Sequence, residues 1–314
     1  MVDYGDLAVS IFAASLPLTM PILYAAIGEV LAERSGVLNM GVEGVMSLSA
    51  FVALLTTFYT SSYTLGLLAG IAAGLAMGLL HAFATVKMGV NQLIAGLMLY
   101  FLALSIGDFG YVLVSKTTYL HILPIDSVHI PFLSDLPVVG PIIFSQNVLV
   151  YASLLVAVVA GLILFRTTWG LKIRAAGENP EATDSAGINV NLVRTICVIV
   201  GSALAGVGGA SLVIGYLGLY STGDTLVAGR GWIAIVVVIF ARWSPYRAIA
   251  GAWLFGLGYA AAAIFIGSSV FSSLGPGSGY FLLAIPYIVA IVFIIVFHRG
   301  TRPPSYLTVP YKRK

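Results

Sequence analysis

The chain has 314 residues, of which 60% are hydrophobic and only 9% charged, with a mean hydropathy of +1.03. A soluble domain carries roughly 25% charged residues, and a water-soluble fold built from this composition would expose apolar patches that monomers rarely show. The class is therefore a polytopic membrane protein. A single cysteine, Cys197, excludes a disulfide framework within the chain and a cysteine-cluster metal site.

The chain opens Met1-Val2-Asp3-Tyr4-Gly5-Asp6 and then turns apolar for about 20 residues. A cleavable signal would start with a basic region and end at a small-residue cleavage site, so this run reads as a retained span. Apolar runs broken by polar or turn residues give nine candidates: 7–28, 42–60, 63–86, 89–107, 148–165, 193–219, 231–241, 245–267 and 281–297. The seventh is too short to cross alone at 1.5 Å per residue. It either borrows from 222–230 or enters as a partial helix. The expected fold is all-α, a single transmembrane domain over 1–314 with about nine spans, eight to ten being compatible with the 28–60 and 222–241 regions.

With nine spans the termini lie on opposite sides, and the basic residues sort accordingly. Thirteen (Arg34, Lys87, Arg166, Lys172, Arg174, Arg194, Arg242, Arg247, Arg299, Arg302, Lys312, Arg313 and Lys314) fall on one face and two, Lys116 and Arg230, on the other. The positive-inside rule then puts the N-terminus outside and the C-terminus in the cytoplasm of a cell-membrane protein. Small residues recur at helical spacing within the spans: Gly66, Gly70, Gly74, Gly78; Gly201, Ala205, Gly209; and Ala248, Ala252, Gly256, Ala260. Such stripes let backbones approach closely, for packing within the chain or for a dimer seam.

Catalytic signatures are missing. There is no G-x-x-x-x-G-K-[ST] to cradle a nucleotide phosphate, and the four histidines are scattered without metal-ligand spacing. No cofactor is expected on the chain. Ion-coupled carriers keep acidic groups inside their spans because a buried charge is retained only for function. Here only Glu43 falls within the membrane. Asp108 sits at the outer end of the fourth span, Glu29 at the inner end of the first, and Glu33 in a cytoplasmic segment. An ion-coupled secondary transporter is the reading of a different class.

The longest cytoplasmic loop, 166–192, carries helix signals in its middle. Asn179 suits an N-cap, Pro180 the first helical position, Glu181 the positive end of the dipole, and Gly187 a C-terminal stop. A short helix is marginal alone in water, so it is either a connector on the lipid headgroups or a docking element.

Three segments together resemble the permease subunits of ATP-binding-cassette importers in the branched-chain amino acid, ribose and nucleoside group. They are Glu33-Arg34-Ser35-Gly36-Val37-Leu38-Asn39-Met40-Gly41-Val42-Glu43-Gly44; Arg174-Ala175-Ala176-Gly177-Glu178-Asn179-Pro180-Glu181-Ala182; and Gly229-Arg230-Gly231-Trp232-Ile233-Ala234 with Ile239-Phe240-Ala241-Arg242-Trp243-Ser244-Pro245. The outer stretch from Ile130 to Pro141 looks like the shorter permease of guanosine-type nucleoside importers, while Ala241 stands where that group would have glycine. The resemblance spans essentially the whole chain. It implies a second permease subunit (a longer homologue or a second copy), a cytoplasmic ATPase that binds the ATP and magnesium, and an extracytoplasmic substrate-binding lipoprotein. It also implies that Arg174, Glu178, Asn179, Pro180, Glu181, Ala182 and Gly187 form the coupling element. Glu178 and Glu181 would pair with basic groups on the ATPase, and Ala182 and Ile188 would supply apolar contact.

For the substrate path, polar groups inside apolar spans are the candidates. Asn39, Glu43 and Ser47 are spaced i, i+4, i+8 and would share one helical face. Asn91, Gln92 and Tyr100 lie in the fourth span, with Gln92 and Tyr100 on a common face. Amides can bond a ribose and aromatics can stack on a base, which suits a neutral nucleoside; a simple sugar or branched-chain amino acid is the alternative. Each has a structural reading as well: buried amides tie helices together, and Glu43 could pair with Arg34 or cap a broken helix near 41–44. The outer loop 109–147, with Pro124, Pro131, Pro137 and Pro141 among apolar residues, reads as a structured surface that receives the binding protein. The glycine-rich 275–279 reads as an external turn, or as a further contact with that protein.

Overall fold

The computed structural model describes residues 4–266, 284–297 and 302–311. The expected turn at 275–279 lies outside them. Among the described residues, eleven α-helices follow in order: α1 Tyr4–Arg34, α2 Val42–Thr60, α3 Tyr63–Ala82, α4 Gln92–Ser115, α5 Val148–Arg166, α6 Thr168–Glu178, α7 Pro180–Ser185, α8 Val190–Leu212, α9 Arg230–Phe240, α10 Pro245–Ile266 and α11 Ile285–Phe297. The helices α3 and α8 each run on through a widened turn, Phe83–Lys87 and Val213–Leu217. Seven of these helices are long and apolar enough to cross a membrane, and the chain is a multi-pass cell-membrane protein.

Several expected boundaries move. The first helix runs six residues past 28, so Glu33 sits on it rather than in a loop. The fourth continues to Ser115, which shortens the outer loop to 116–147. The seventh candidate is the partial helix α9, and 222–229 does not extend it. All of 168–178, expected only as loop, is the amphipathic helix α6.

The small-residue stripes seat spans on one another within the chain. A Cβ at Gly28 of α1 would strike the Gly201 carbonyl of α8, and one at Gly201 would come within 2.6 Å of the Gly28 carbonyl. A Cβ at Gly74 would meet the Ser202 carbonyl at 2.5 Å. In lipid, where burial between helices gains nothing over burial in acyl chains, this backbone proximity is what dispersion and polar contacts depend on. The opposite face of α4 (Met98, Phe101, Phe109) is exposed and apolar, as a lipid-facing side should be.

Non-helical backbone inside a membrane must find partners within the protein. Pro17 in α1 cannot donate to the Ala13 carbonyl, and Gln146 Nε2 donates to it instead at 3.1 Å. The widened end of α8 is strapped to the outer loop: Asn147 Nδ2 donates to the Gly215 carbonyl at 2.9 Å, and the amides of Ile125 and Ile122 donate to Ile214 and Gly218.

Candidate functional site

Three places carry the polar chemistry of the fold. The first is the segment between α8 and α9, which re-enters the bundle before the short helix α9 starts. Ala228 and Gly229 both adopt positive φ, 50° and 78°, and this turn aims the first amides of α9 at α2. There Glu43, 1% exposed, accepts hydrogen bonds from the Gly229 amide at 2.7 Å and the Gly231 amide at 2.5 Å. A carboxylate suits the positive end of a half-helix, where four backbone donors lack helical partners. Glu43 therefore does cap a broken helix, but that helix is α9.

The same segment is held at its other end by Asp108 of α4. Its two oxygens accept from Tyr220 Oη at 3.0 Å and from the Gly223 amide at 2.8 Å. Ser47 Oγ lies 3.1 Å from Tyr220 Oη; with the phenol proton committed to Asp108, the serine is the donor. Tyr100 joins this region through its ring, 5.6 Å from that of Trp232.

The second place is the turn at 35–41. Asn39 lies in this turn, before α2 begins, so it does not share a helical face with Glu43 and Ser47. Its amide donates to Glu29 Oε2 at 3.3 Å, its Oδ1 accepts from the Gly41 amide at 2.9 Å, and its Nδ2 donates to Ser202 Oγ at 3.3 Å. Gln92 completes the hold, accepting from the Leu38 amide at 2.8 Å and donating to the Gly36 carbonyl at 3.3 Å. Asn91 precedes α4 and caps it, its Oδ1 accepting from Leu93 and Ile94. Of the six path candidates, then, Glu43, Ser47 and Tyr100 converge on the re-entrant segment, Asn39 and Gln92 on this turn, and Asn91 stands apart as an exposed cap.

The third place is the end where the basic residues gather. Glu33 Oε2 accepts from Trp243 Nε1 at 2.6 Å, and Arg34 donates to the carbonyls of Trp243 and Arg242 at 3.0 and 3.1 Å. Arg242 and Trp243 have φ of 51° and 54°, a conformation that non-glycine residues keep only when their surroundings enforce it. Arg194, 2% exposed, is the other clamp. It donates to the carbonyls of Ser35 at 3.0 Å, Ala176 at 3.3 Å and Val309 at 3.1 Å, so α1, α6, α8 and the C-terminal segment meet on one guanidinium.

On the outer side of this clamp lie α6 and α7. Asn179 Oδ1 caps α7 by accepting from the Ala182 amide at 2.9 Å, and Gly187 ends it at φ +81°, as the sequence predicts. Between the two helices runs a groove of about 450 Å³, lined by Leu171, Ala175, Ala182, Ala186 and Ile188 with Lys172 at its side. Trp169, Leu171, Glu181 and Ala182 are exposed. Glu178, exposed beside the groove, accepts from the Ser305 amide at 3.3 Å and its hydroxyl at 2.8 Å, and half-buried Arg174 lies 5.7 Å from the Phe165 ring.

Sequence reasoning missed Asp108, Tyr220, Arg194 and the pair Glu29 and Glu33 as working residues. Glu29 and Glu33 are each 1% exposed, so Glu43 is not the sole buried acid. Their signal was present, since an ionisable residue in a span is a site by default, but a first span ended at 28 hid it.

The three motif segments of the sequence form one assembly: Glu43 caps Gly229 and Gly231, Glu33 and Arg34 hold the corner at Arg242 and Trp243, and Gly177 abuts the Arg34 carbonyl so closely that a Cβ would strike it. The model of the family described as branched-chain amino acid transport system / permease component matches residues 11–297. The chain belongs to that family. It is 39% identical over 254 residues, 80% of this chain and 76% of the relative, to a putative glucose ABC transporter permease protein of Haloferax volcanii. It is 34% identical to the nucleoside ABC transporter permease protein NupC of Lactococcus lactis, over 91% of this chain and 92% of that one. It is also 34% identical to the guanosine ABC transporter permease protein NupQ of Bacillus subtilis, over 96% of each. No solved structure gives a significant match. As a member, the chain is the membrane permease component of a transport system, with its motif segments folded into a single clamped frame.

Proposed function

We propose that this chain forms half of the translocation pathway of an ATP-binding-cassette importer for nucleosides. The observation that carries the coupling half of this reading is the α6–α7 groove: an apolar, solvent-facing groove beside a capped short helix, anchored through Arg194 to α1 and α8. A rigid surface of this kind suits a partner that pushes. In this reading a separate cytoplasmic ATPase binds ATP and magnesium, seats on Glu181, Ala182 and Ile188, and displaces α7. The movement then passes through α6 and the Arg194 clamp to the ends of α1 and α8, and through Glu33 and Arg34 to the corner between α9 and α10.

The basic end is the cytoplasmic one in this account, and the outer loop faces the other way. Exposed Tyr119, Leu123 and Phe132 on that loop suit a substrate-binding lipoprotein, the loop being strapped to α8 rather than loose. A second permease subunit closes the pathway. Relatives named for nucleoside and guanosine transport match this chain over nearly its whole length, which favours a nucleoside substrate. A sugar is the second reading, favoured by the 39% identity to a relative named as a putative glucose permease.

Uptake of labelled guanosine, ribose and glucose by proteoliposomes holding the complete complex tests the assignment. ATP-dependent uptake of guanosine alone is the expected result. Uptake of either sugar without guanosine moves the chain to the sugar branch, and uptake without ATP overturns the importer reading.

A further inference from the structure

Residues 130–144 of the outer loop form an apolar lobe whose only ionisable side chain is Asp135. Leu133, Leu136, Val138, Val139 and Ile143 are between 40% and 54% exposed on it. In water such a surface is a liability unless something covers it. Where the lobe sits says what does.

The lobe is pinned at two points. Tyr151 of α5 donates to the Ile143 carbonyl at 2.7 Å, and Gln146 Nε2 donates to the Ala13 carbonyl of α1 at 3.1 Å. Both points measure its height. The 19 residues of α5, which end at exposed Arg166, rise about 28 Å at 1.5 Å per residue, against a hydrocarbon core about 30 Å thick. Counted back from Arg34, the last residue of α1, Ala13 stands about 32 Å away along the helix. With both arginines at the inner headgroups, as in the orientation adopted above, Val148 and Ala13 reach the outer edge of the hydrocarbon. Helix tilt only lowers them. Tyr151 also fixes the side. It shares one helical stripe with Leu155, Val158 and Leu162, which are 41–63% exposed. That stripe is the face of α5 turned away from the bundle, so the lobe overhangs acyl chains at the rim.

Irregular backbone near acyl chains has to find its partners within the protein, and much of this segment does. Pro131, Pro137 and Pro141 have no amide to satisfy. Ser134 Oγ bridges the carbonyls of Ile130 and Phe144 at 2.9 and 3.0 Å, and those of Pro141 and Ile142 gather on Gln146 Nε2 at 3.2 and 2.8 Å. The Gly140 amide donates to the Leu136 carbonyl at 2.9 Å. Polar groups are thus spent inside the lobe while apolar side chains are left outside. We propose that residues 130–144 are an interfacial anchor, with Leu136, Val138 and Val139 set where headgroups meet acyl chains in the outer leaflet. Interfacial segments bury an apolar face about 5–10 Å deep. Without a basic side chain, the lobe has no preference for anionic lipid. Tyr119, Leu123 and Phe132 are left to the binding protein.

The test uses nitroxide labels on single cysteines in the complete complex, with cysteine-free partners and the buried Cys197 replaced by alanine. The complex is reconstituted in phosphatidylcholine vesicles. Leu136→Cys and Val139→Cys report on the lobe, Leu155→Cys on the acyl region beside α5, and Lys116→Cys, exposed just past α4, on water. Oxygen partitions into lipid and a nickel chelate stays in water, so the ratio of their relaxation effects reads depth. At both lobe positions the ratio should exceed that at Lys116→Cys at least threefold, approach that at Leu155→Cys, and stay unchanged when phosphatidylglycerol is mixed in. A ratio like that at Lys116→Cys overturns the anchor, because the lobe then stands in water. Exclusion of both reagents overturns it too, because a protein, the second permease or the binding protein, then covers the lobe. If one lobe variant fails to assemble, the other decides alone.

Discussion

The re-entrant segment at 218–231 and the α6–α7 platform at 168–188 are both short, polar-flanked and set between long spans, yet their side chains work differently. In the first, the polar groups face inward and are spent on backbone: Glu43 on two amides, Asp108 on an amide and a phenol, Ser47 on that same phenol. In the second, helix caps settle the backbone locally, through Asn179 and Gly187, and Glu181, Ala182 and Trp169 face out. Polar residues inside a membrane are first a means of holding broken backbone. Those left over at a surface or cavity wall are the better candidates for partners and ligands.

Substitutions can break this comparison, and the largest effect should come from the re-entrant end. Glu43→Ala strands two buried amides, each such loss being worth about 1–3 kcal/mol, and should lower the melting temperature of the purified complex and abolish uptake. Glu43→Gln, which can satisfy one amide through its carbonyl oxygen, should recover part of the melting temperature. A Glu43→Ala complex that melts like the native one would mean that the carboxylate serves the substrate and not α9.

Arg194→Met comes next. It removes three carbonyl contacts that join α1, α6 and the C-terminal segment, and with each unpaired buried group worth about 1–3 kcal/mol, thermal stability should fall. Limited proteolysis should also release the C-terminal segment. Gln146→Leu should give the smallest change, about 1 kcal/mol, because it strands a single helix carbonyl, that of Ala13, which Pro17 cannot serve. A melt in detergent that separates these three in this order sharpens the ranking.

The membrane class, the positions of most spans, the partial seventh helix and the Asn179–Gly187 helix were legible from composition, apolar run length and cap chemistry, which act locally. The packing of Gly66–Gly78 against α2 and α8 was legible as close approach, although the partner helices were not. The structural roles of Asn39, Gln92 and Glu43 were open readings, but their partners were not legible, because what they bond lies far along the chain: 163 residues from Asn39 to Ser202, 186 from Glu43 to Gly229. Arg194 was counted as a cytoplasmic charge, and its burial depends on three carbonyls from distant segments. The helix α6 was hidden by an amphipathic pattern too short and polar to register as a span.

The central claim is that the α6–α7 surface takes the ATPase while the frame behind it holds the fold. The direct test is co-purification of the ATPase with the native permease and with the Glu181→Arg, Ala182→Asp double variant, alongside the melting temperature of the permease pair. Both positions are exposed, so the account predicts an unchanged melt, a loss of at least tenfold in bound ATPase and no uptake. Retention of the ATPase at native levels, with native uptake, would contradict it.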